Sequence, residues 1–138
     1  MELDYFHPDL TPAMMNPISN LGLAYVGDGA YELMVRSYLC LRGKATNKGL
    51  HKAAVKYVSA PAQAAAVKVI APLLSEEEQD VLRRGRNASP HTIPRHASRE
   101  EYAAATALET LFGWLYLRGD TRRLNELFSV MMEETQWP

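Results

Sequence analysis

Apolar residues along most of the chain recur at three- and four-residue spacing rather than in alternation, a pattern that predicts helices and no strands. The longest such stretch, LGLAYVGDGAYELMVR from Leu21 to Arg36, puts Leu21, Ala24, Tyr25, Tyr31 and Val35 on a helical repeat and reads as a largely buried helix. Ser19 or Asn20 caps its start, and Gly43 stops it after about Leu41. Thr46 or Asn47 caps a second helix running to about Val58. Ser59, with Pro61 in the first turn, opens a third, Ala-rich helix ending near Ile70 or Pro72. Ser75 and Glu78 have capping-box spacing, so a fourth helix runs from there to about Arg86. Ser98 and Glu101 repeat the box at the head of REEYAAATALETLFGWLYLRG, which is apolar around nearly its whole circumference, belongs at the centre of a bundle, and ends at Gly119. Asp120 or Thr121 caps the last helix, whose Leu124, Leu127, Phe128 and Met131 form an amphipathic stripe.

The remainder is punctuation. Pro8, Pro12 and Pro17 rule out a long helix at the start and predict an extended arm, residues 1–16, with one short turn. Residues 87–97, NASPHTIPRHA, contain two prolines, no periodicity and no acid, and predict an exposed loop. The fold class expected is all-α, a compact bundle of about six to seven helices in one domain spanning residues 1–138. A chain of 138 residues with 47% hydrophobic content has room for one ordinary core. No apolar run approaches the ~20 residues of a membrane span, and the N-terminus is acidic and Pro-containing rather than basic and then apolar, so a cytoplasmic location is expected. The single cysteine, Cys40, excludes an internal disulfide, and its helical apolar context predicts a buried structural thiol.

Net charge changes the picture once its distribution is considered. The total is −1, yet no Asp or Glu occurs from Leu33 to Ser75, where Arg36, Arg42, Lys44, Lys48, Lys52, Lys56 and Lys68 lie. None occurs from Arg83 to Arg99 either, against Arg83, Arg84, Arg86, Arg95 and Arg99. Lys48, Lys52 and Lys56 follow i, i+4, i+8 spacing and share one helix face. Such segments are either ordinary solvated faces or the parts of a polyanion-binding surface.

Two acids stand out against this background. Asp28 lies in the first long helix between Gly27 and Gly29, which cost about 1 kcal/mol each relative to alanine and leave space for another backbone, an ion or a substrate. Glu109 lies in the middle of the central helix, with Gly113 one turn further on. Lone carboxylates on two central helices are either hydrogen-bonded packing features or ligands of a hard cation such as Mg²⁺, which keeps several waters and takes one or two protein carboxylates. Beside basic segments, the second reading points to metal-assisted phosphodiester hydrolysis. Glu32, one turn after Asp28, either orients the site or makes a plain intrahelical contact.

LAYVGDGAYEL closely resembles the signature helix of the ribonuclease III family, and TALETLFGWLYLRGD resembles that family's second catalytic helix. Between them, ATNKGLHKAAVKYVSAPAQAAAV resembles the linking helices, and VLRRGRNASPHTIPR resembles the basic loop of the Mini-III branch, whose members lack a separate double-stranded-RNA-binding domain. The match covers residues 17–135. It implies an all-helical endoribonuclease acting on double-stranded RNA with Mg²⁺ and an activated water, as a homodimer with one site per subunit. For the Mini-III branch it further implies maturation of the large-subunit (23S) ribosomal RNA precursor in a bacterium; whether a ribosomal protein must shape the substrate stays open.

Carried over by position, Asp28 and Glu109 are the catalytic, metal-binding acids, and Arg83, Arg84, Arg86, Asn87, Thr92 and Arg95 fall in the RNA-contacting loop, with Lys48 and Lys52 as further RNA-binding candidates. The larger enzymes of the family have two more acids, at positions held here by Ala24 and Thr106, and usually an acid where Lys48 stands. A two-acid site fits the Mini-III pattern. The alternative is a non-catalytic double-stranded-RNA-binding or ribosome-assembly protein that keeps the fold and the basic face. A duplex offers no free base faces, so Tyr25, Tyr31, Tyr102 and Trp114 are expected in the core or at a dimer interface rather than stacked on bases. Recognition through phosphates predicts affinity that falls steeply with salt.

Overall fold

Five of the predicted helix starts, at Ser19, Ser59, Ser75, Ser98 and Asp120, carry a side chain that accepts from a free backbone N–H of the first turn. The computed structural model describes residues 3–43, 47–89 and 97–138; among them lie seven α-helices, one short 3₁₀ turn and no strand. Thr11 caps α1 (Pro12–Met15), and Ser19 caps α2 (Asn20–Leu41). Then follow α3 (Asn47–Val58) and α4 (Ala60–Ile70), the latter capped by Ser59. After the 3₁₀ turn Ala71–Leu73, α5 (Glu76–Asn87) and α6 (Arg99–Leu117) each open on a complete capping box, Ser75 with Glu78 and Ser98 with Glu101. Asp120 caps α7 (Thr121–Glu134). Gly43 and Gly119 have φ of +84° and +79°, the left-handed conformation that ends α2 and α6 at little cost to glycine. The predicted Thr46, Thr92 and Arg95 lie outside the described residues, as does Lys44.

Helix α6 is the axle of the bundle. It packs against α2, α5, α4 and α7, and its side chains from Ala104 to Ala107, with Leu108, Leu111, Phe112 and Leu115, are buried on all sides. This all-round apolarity matches the sequence pattern. Tyr31 of α2 is fully buried, edge-on to Phe112 and Phe128, and its hydroxyl donates to the Val58 neighbour Tyr57 at its carbonyl (2.7 Å). The N-terminal arm runs along the end of α6, where the Leu10 N–H donates to the Leu117 carbonyl at 2.8 Å.

Two expectations for α2 need correction. Its buried stripe is Leu23, Ala24, Gly27, Tyr31, Val35 and Leu39, so neighbouring apolar positions rotate away from the core. Tyr25 is therefore 84% exposed and Leu33 55% exposed, and Tyr25 is no core aromatic. Cys40, one residue past the buried Leu39, is exposed rather than a buried thiol. An apolar helix surface carries no mark of which side its neighbours cover.

A side-chain contact ties the first turn of α5 to the first turn of α7. Glu78 completes the capping box of α5, but it is also buried and accepts two 2.8 Å hydrogen bonds from the Arg123 guanidinium of α7. Arg123 donates further to the Leu73 carbonyl at 2.9 Å. The Arg123 hydrogen bonds hold the Glu78 carboxyl below the usual carboxylate range.

Candidate active site

The two singled-out acids meet because glycines let two helices touch through their backbones. A Cβ on Gly27 would stand 1.6 Å from the Glu109 carbonyl oxygen and 2.7 Å from the Gly113 nitrogen. A Cβ on Gly113 would stand 1.9 Å from the Leu23 carbonyl oxygen. Any side chain at either position forces α2 and α6 apart, so Gly27 and Gly113 are what bring Asp28 beside Glu109. Gly29 differs: nothing among the described residues lies within 4 Å of its Cβ position, so of the two glycines flanking Asp28 only Gly27 admits a backbone, while Gly29 faces open space.

Asp28 is exposed and Glu109 half-buried. The Glu109 pKa is pushed up to about 8, first by burial, then by the negative charge of Asp28 and by a hydrogen bond in which protonated Glu109 donates to the Asp28 carboxylate. The Gln63 amide of α4 donates to Glu109 and acts in the opposite direction. Two neighbouring carboxylates, one held neutral first by burial and then by the other's charge, form a pair with no ion-pair partner among the described residues. The donor set, two carboxylates and open space above them, suits a hard cation such as Mg²⁺ that retains most of its waters.

Among the described residues no group of three or more His, Cys, Asp or Glu side chains gathers at one point. The positions of the family's other two acids contribute nothing ionic: Ala24 is buried, and the Thr106 hydroxyl donates to the Tyr102 carbonyl of its own helix at 3.0 Å. Glu32 forms an intrahelical ion pair with Arg36 at 2.9 Å, the plain contact weighed above.

The basic residues are arranged on α5 and α3. A Cβ on Gly85 would stand 2.4 Å from the Thr110 hydroxyl, so α5 lies close on α6, with Arg83, Arg84, Arg86 and Asn87 on its exposed side. Arg83 and Arg84 both pair with Asp80, the latter at 3.1 Å, and Arg84 also reaches the Asn20 side chain at 3.5 Å. Exposed pairs of this kind are worth about 0–1 kcal/mol, and a phosphate competes with them readily. Lys48 and Lys52 are exposed on α3. Of the named candidates, Thr92 and Arg95 are the ones the described residues do not place.

Gln63 is the residue of this site that the sequence reading passed over. The signal was a lone amide in the otherwise small and apolar run APAQAAAV. It is 2% exposed and lines a cavity of about 260 Å³ together with Tyr102, Ala105 and Glu109.

Known proteins resemble this chain over most of its length. The Ribonuclease III domain family matches residues 21–120. A Mini-ribonuclease 3 of Symbiobacterium thermophilum is 48% identical over 116 residues, 83% of this chain and 89% of that protein. One from a Thermoanaerobacter species is 41% identical over 124 residues, covering 90% and 87%. A crystal structure of a Fusobacterium nucleatum protein superposes with a TM-score of 0.77 at 31% identity, covering 83% of this chain and 92% of that one.

Proposed function

The chain belongs to the ribonuclease III family, in its Mini-ribonuclease 3 branch, and from that premise we propose that this endoribonuclease cuts double-stranded RNA with Mg²⁺ held by Asp28 and Glu109. The observation that carries the reading is the carboxylate pair itself, brought together by Gly27 and Gly113 and without an ion-pair partner among the described residues. Mg²⁺ bound there supplies Lewis-acid chemistry, polarising the scissile phosphate and acidifying water for in-line attack. Asp28, exposed, meets the incoming backbone first. Glu109 would hold the cation as its carboxylate, its proton given up to solvent, and is positioned by α6 and by the Gln63 amide. Neither acid has to accept the proton of the attacking water. Two acids suffice in this reading, since Ala24 and Thr106 add no carboxylate.

Arg83, Arg84, Arg86 and Asn87, with Thr92 and Arg95 beyond them in the chain, read the phosphates of the duplex, and Lys48 and Lys52 widen the basic surface. A-form RNA hides its base edges in a deep, narrow major groove, so shape, phosphates and 2′-hydroxyls carry recognition. The enzyme acts as a homodimer, one site per strand, and the uncovered apolar row of α2 with Leu21, Tyr25 and Leu33 is the face that pairs. The biological substrate in this proposal is the 23S ribosomal RNA precursor in a bacterial cytoplasm. No helix among the described residues is long and apolar enough to cross a membrane. The test is a long RNA duplex incubated with the protein in Mg²⁺ and in EDTA. Fragments in Mg²⁺ alone support the proposal; retention of the duplex without cleavage in any divalent ion supports the non-catalytic alternative.

A further inference from the structure

Gln63 has a fixed orientation. The Val58 carbonyl accepts only, so the amide nitrogen faces it, at 3.0 Å. Gln63 and Glu109 line the same cavity, where the amide favours the charged Glu109 carboxylate. The one acceptor of the amide, Oε1, is buried with no hydrogen-bond partner among the described residues. Buried amide oxygens are nearly always paired. The anchor is rigid as well, because Val58 ends α3 and the next residue, Ser59, caps α4 through the Ala62 N–H. The cavity of about 260 Å³ that Gln63 and Glu109 share runs from this junction to Tyr102 and Ala105 of α6, room enough for ordered water.

Resting on the reading of Glu109 as a cation ligand, we propose that Gln63 is a positioning residue, tying the Glu109 carboxylate to the Val58 carbonyl at the α3–α4 junction and offering Oε1 to an ordered water in the adjoining cavity. Glu109 then presents one carboxylate orientation toward Asp28 rather than several. Its place in the chemistry is indirect: Gln63 acts through Glu109 and touches no reacting atom. Partners of metal ligands at this remove set ligand orientation, and their loss costs about 10–100-fold in metal affinity or activity.

The test is calorimetric titration of the full-length protein with Mg²⁺ in the absence of RNA, for wild type, Gln63→Met, Gln63→Asn and Glu109→Gln, with thermal midpoints measured alongside. Gln63→Met keeps the volume and removes the amide, and is expected to weaken Mg²⁺ binding about 10–100-fold and to lower kcat on duplex RNA with KM unchanged. Gln63→Asn keeps the amide on a stem too short to span both acceptors, so it weakens Mg²⁺ binding in the same direction and serves if Gln63→Met does not fold. If Glu109→Gln loses Mg²⁺ while the folded Gln63 variants bind it as wild type does, Gln63 is structural only and the proposal falls. If Glu109→Gln itself binds Mg²⁺ as wild type does, the site reading fails and takes this proposal with it.

Discussion

Gly27 and Glu109 are in backbone contact: a methyl group on the first would stand 1.6 Å from the carbonyl oxygen of the second. The helix crossing and the acid pair are therefore one feature. Gly27→Ala is expected to destabilise the fold by about 3 kcal/mol, an overpacking cost that relaxation cannot remove without separating α2 from α6. Gly29→Ala, facing open space, is expected to raise stability by up to about 1 kcal/mol through helix propensity. Urea denaturation of both variants checks the contrast, and equal midpoints would contradict the crossing.

Glu109 carries a pH signature. Its folded pKa of about 8 stands above the ordinary 4.5, so its contribution to the metal-free protein is present below 4.5 and lost as pH rises through about 8. Glu109→Gln, permanently neutral, is expected to be more stable than wild type at pH 9 by about 1–3 kcal/mol, with the gap closing by pH 4. Cation binding must expel the same proton, so Mg²⁺ affinity should rise about tenfold per pH unit up to about pH 8. Calorimetry in buffers of different ionisation enthalpy counts the released proton directly.

The sign reverses at Glu78. Its carboxyl is held below the usual range by Arg123, so its stabilising contribution is present above the unfolded pKa of about 4.5 and lost as pH falls through the lowered folded value. Arg123→Ala leaves a buried carboxylate unpaired and is expected to cost about 3–5 kcal/mol at pH 7. Urea midpoints from pH 7 to pH 3 should fall more steeply for wild type than for Glu78→Gln.

These contrasts also explain what was legible in the chain. Caps were, because Ser59, Ser75 with Glu78, and Ser98 with Glu101 act on backbone three residues away and leave a local spelling. The Asp28 and Glu109 pairing was legible through the glycines beside them, although that Gly27 is the contact and Gly29 the opening needed the three-dimensional crossing. Cys40 was misplaced and Tyr25 falls outside the core, because an apolar helix surface does not state which flank is covered. Arg123 reaching across 45 residues to Glu78 has no local sign, and neither has the Gln63 amide meeting Glu109.

The exposed row of α2 yields a prediction of its own. Leu21 at 44% and Leu33 at 55% exposure lie with Tyr25 on the outer side of α2, beside the exposed Glu32–Arg36 ion pair. If this face pairs two copies, Leu33→Arg places charges within a symmetric apolar contact and shifts the protein from dimer to monomer in light scattering after size exclusion. An unchanged dimer mass would move the interface elsewhere.

The central claim is that Asp28 and Glu109 together hold the ion that cuts RNA. Its most direct measurement is cleavage of a long RNA duplex in Mg²⁺ by Asp28→Asn and by Glu109→Gln, with binding of the same duplex followed by gel shift in EDTA. The account predicts that both variants retain the duplex and neither cuts it. Cleavage at the wild-type rate by either one would contradict the account.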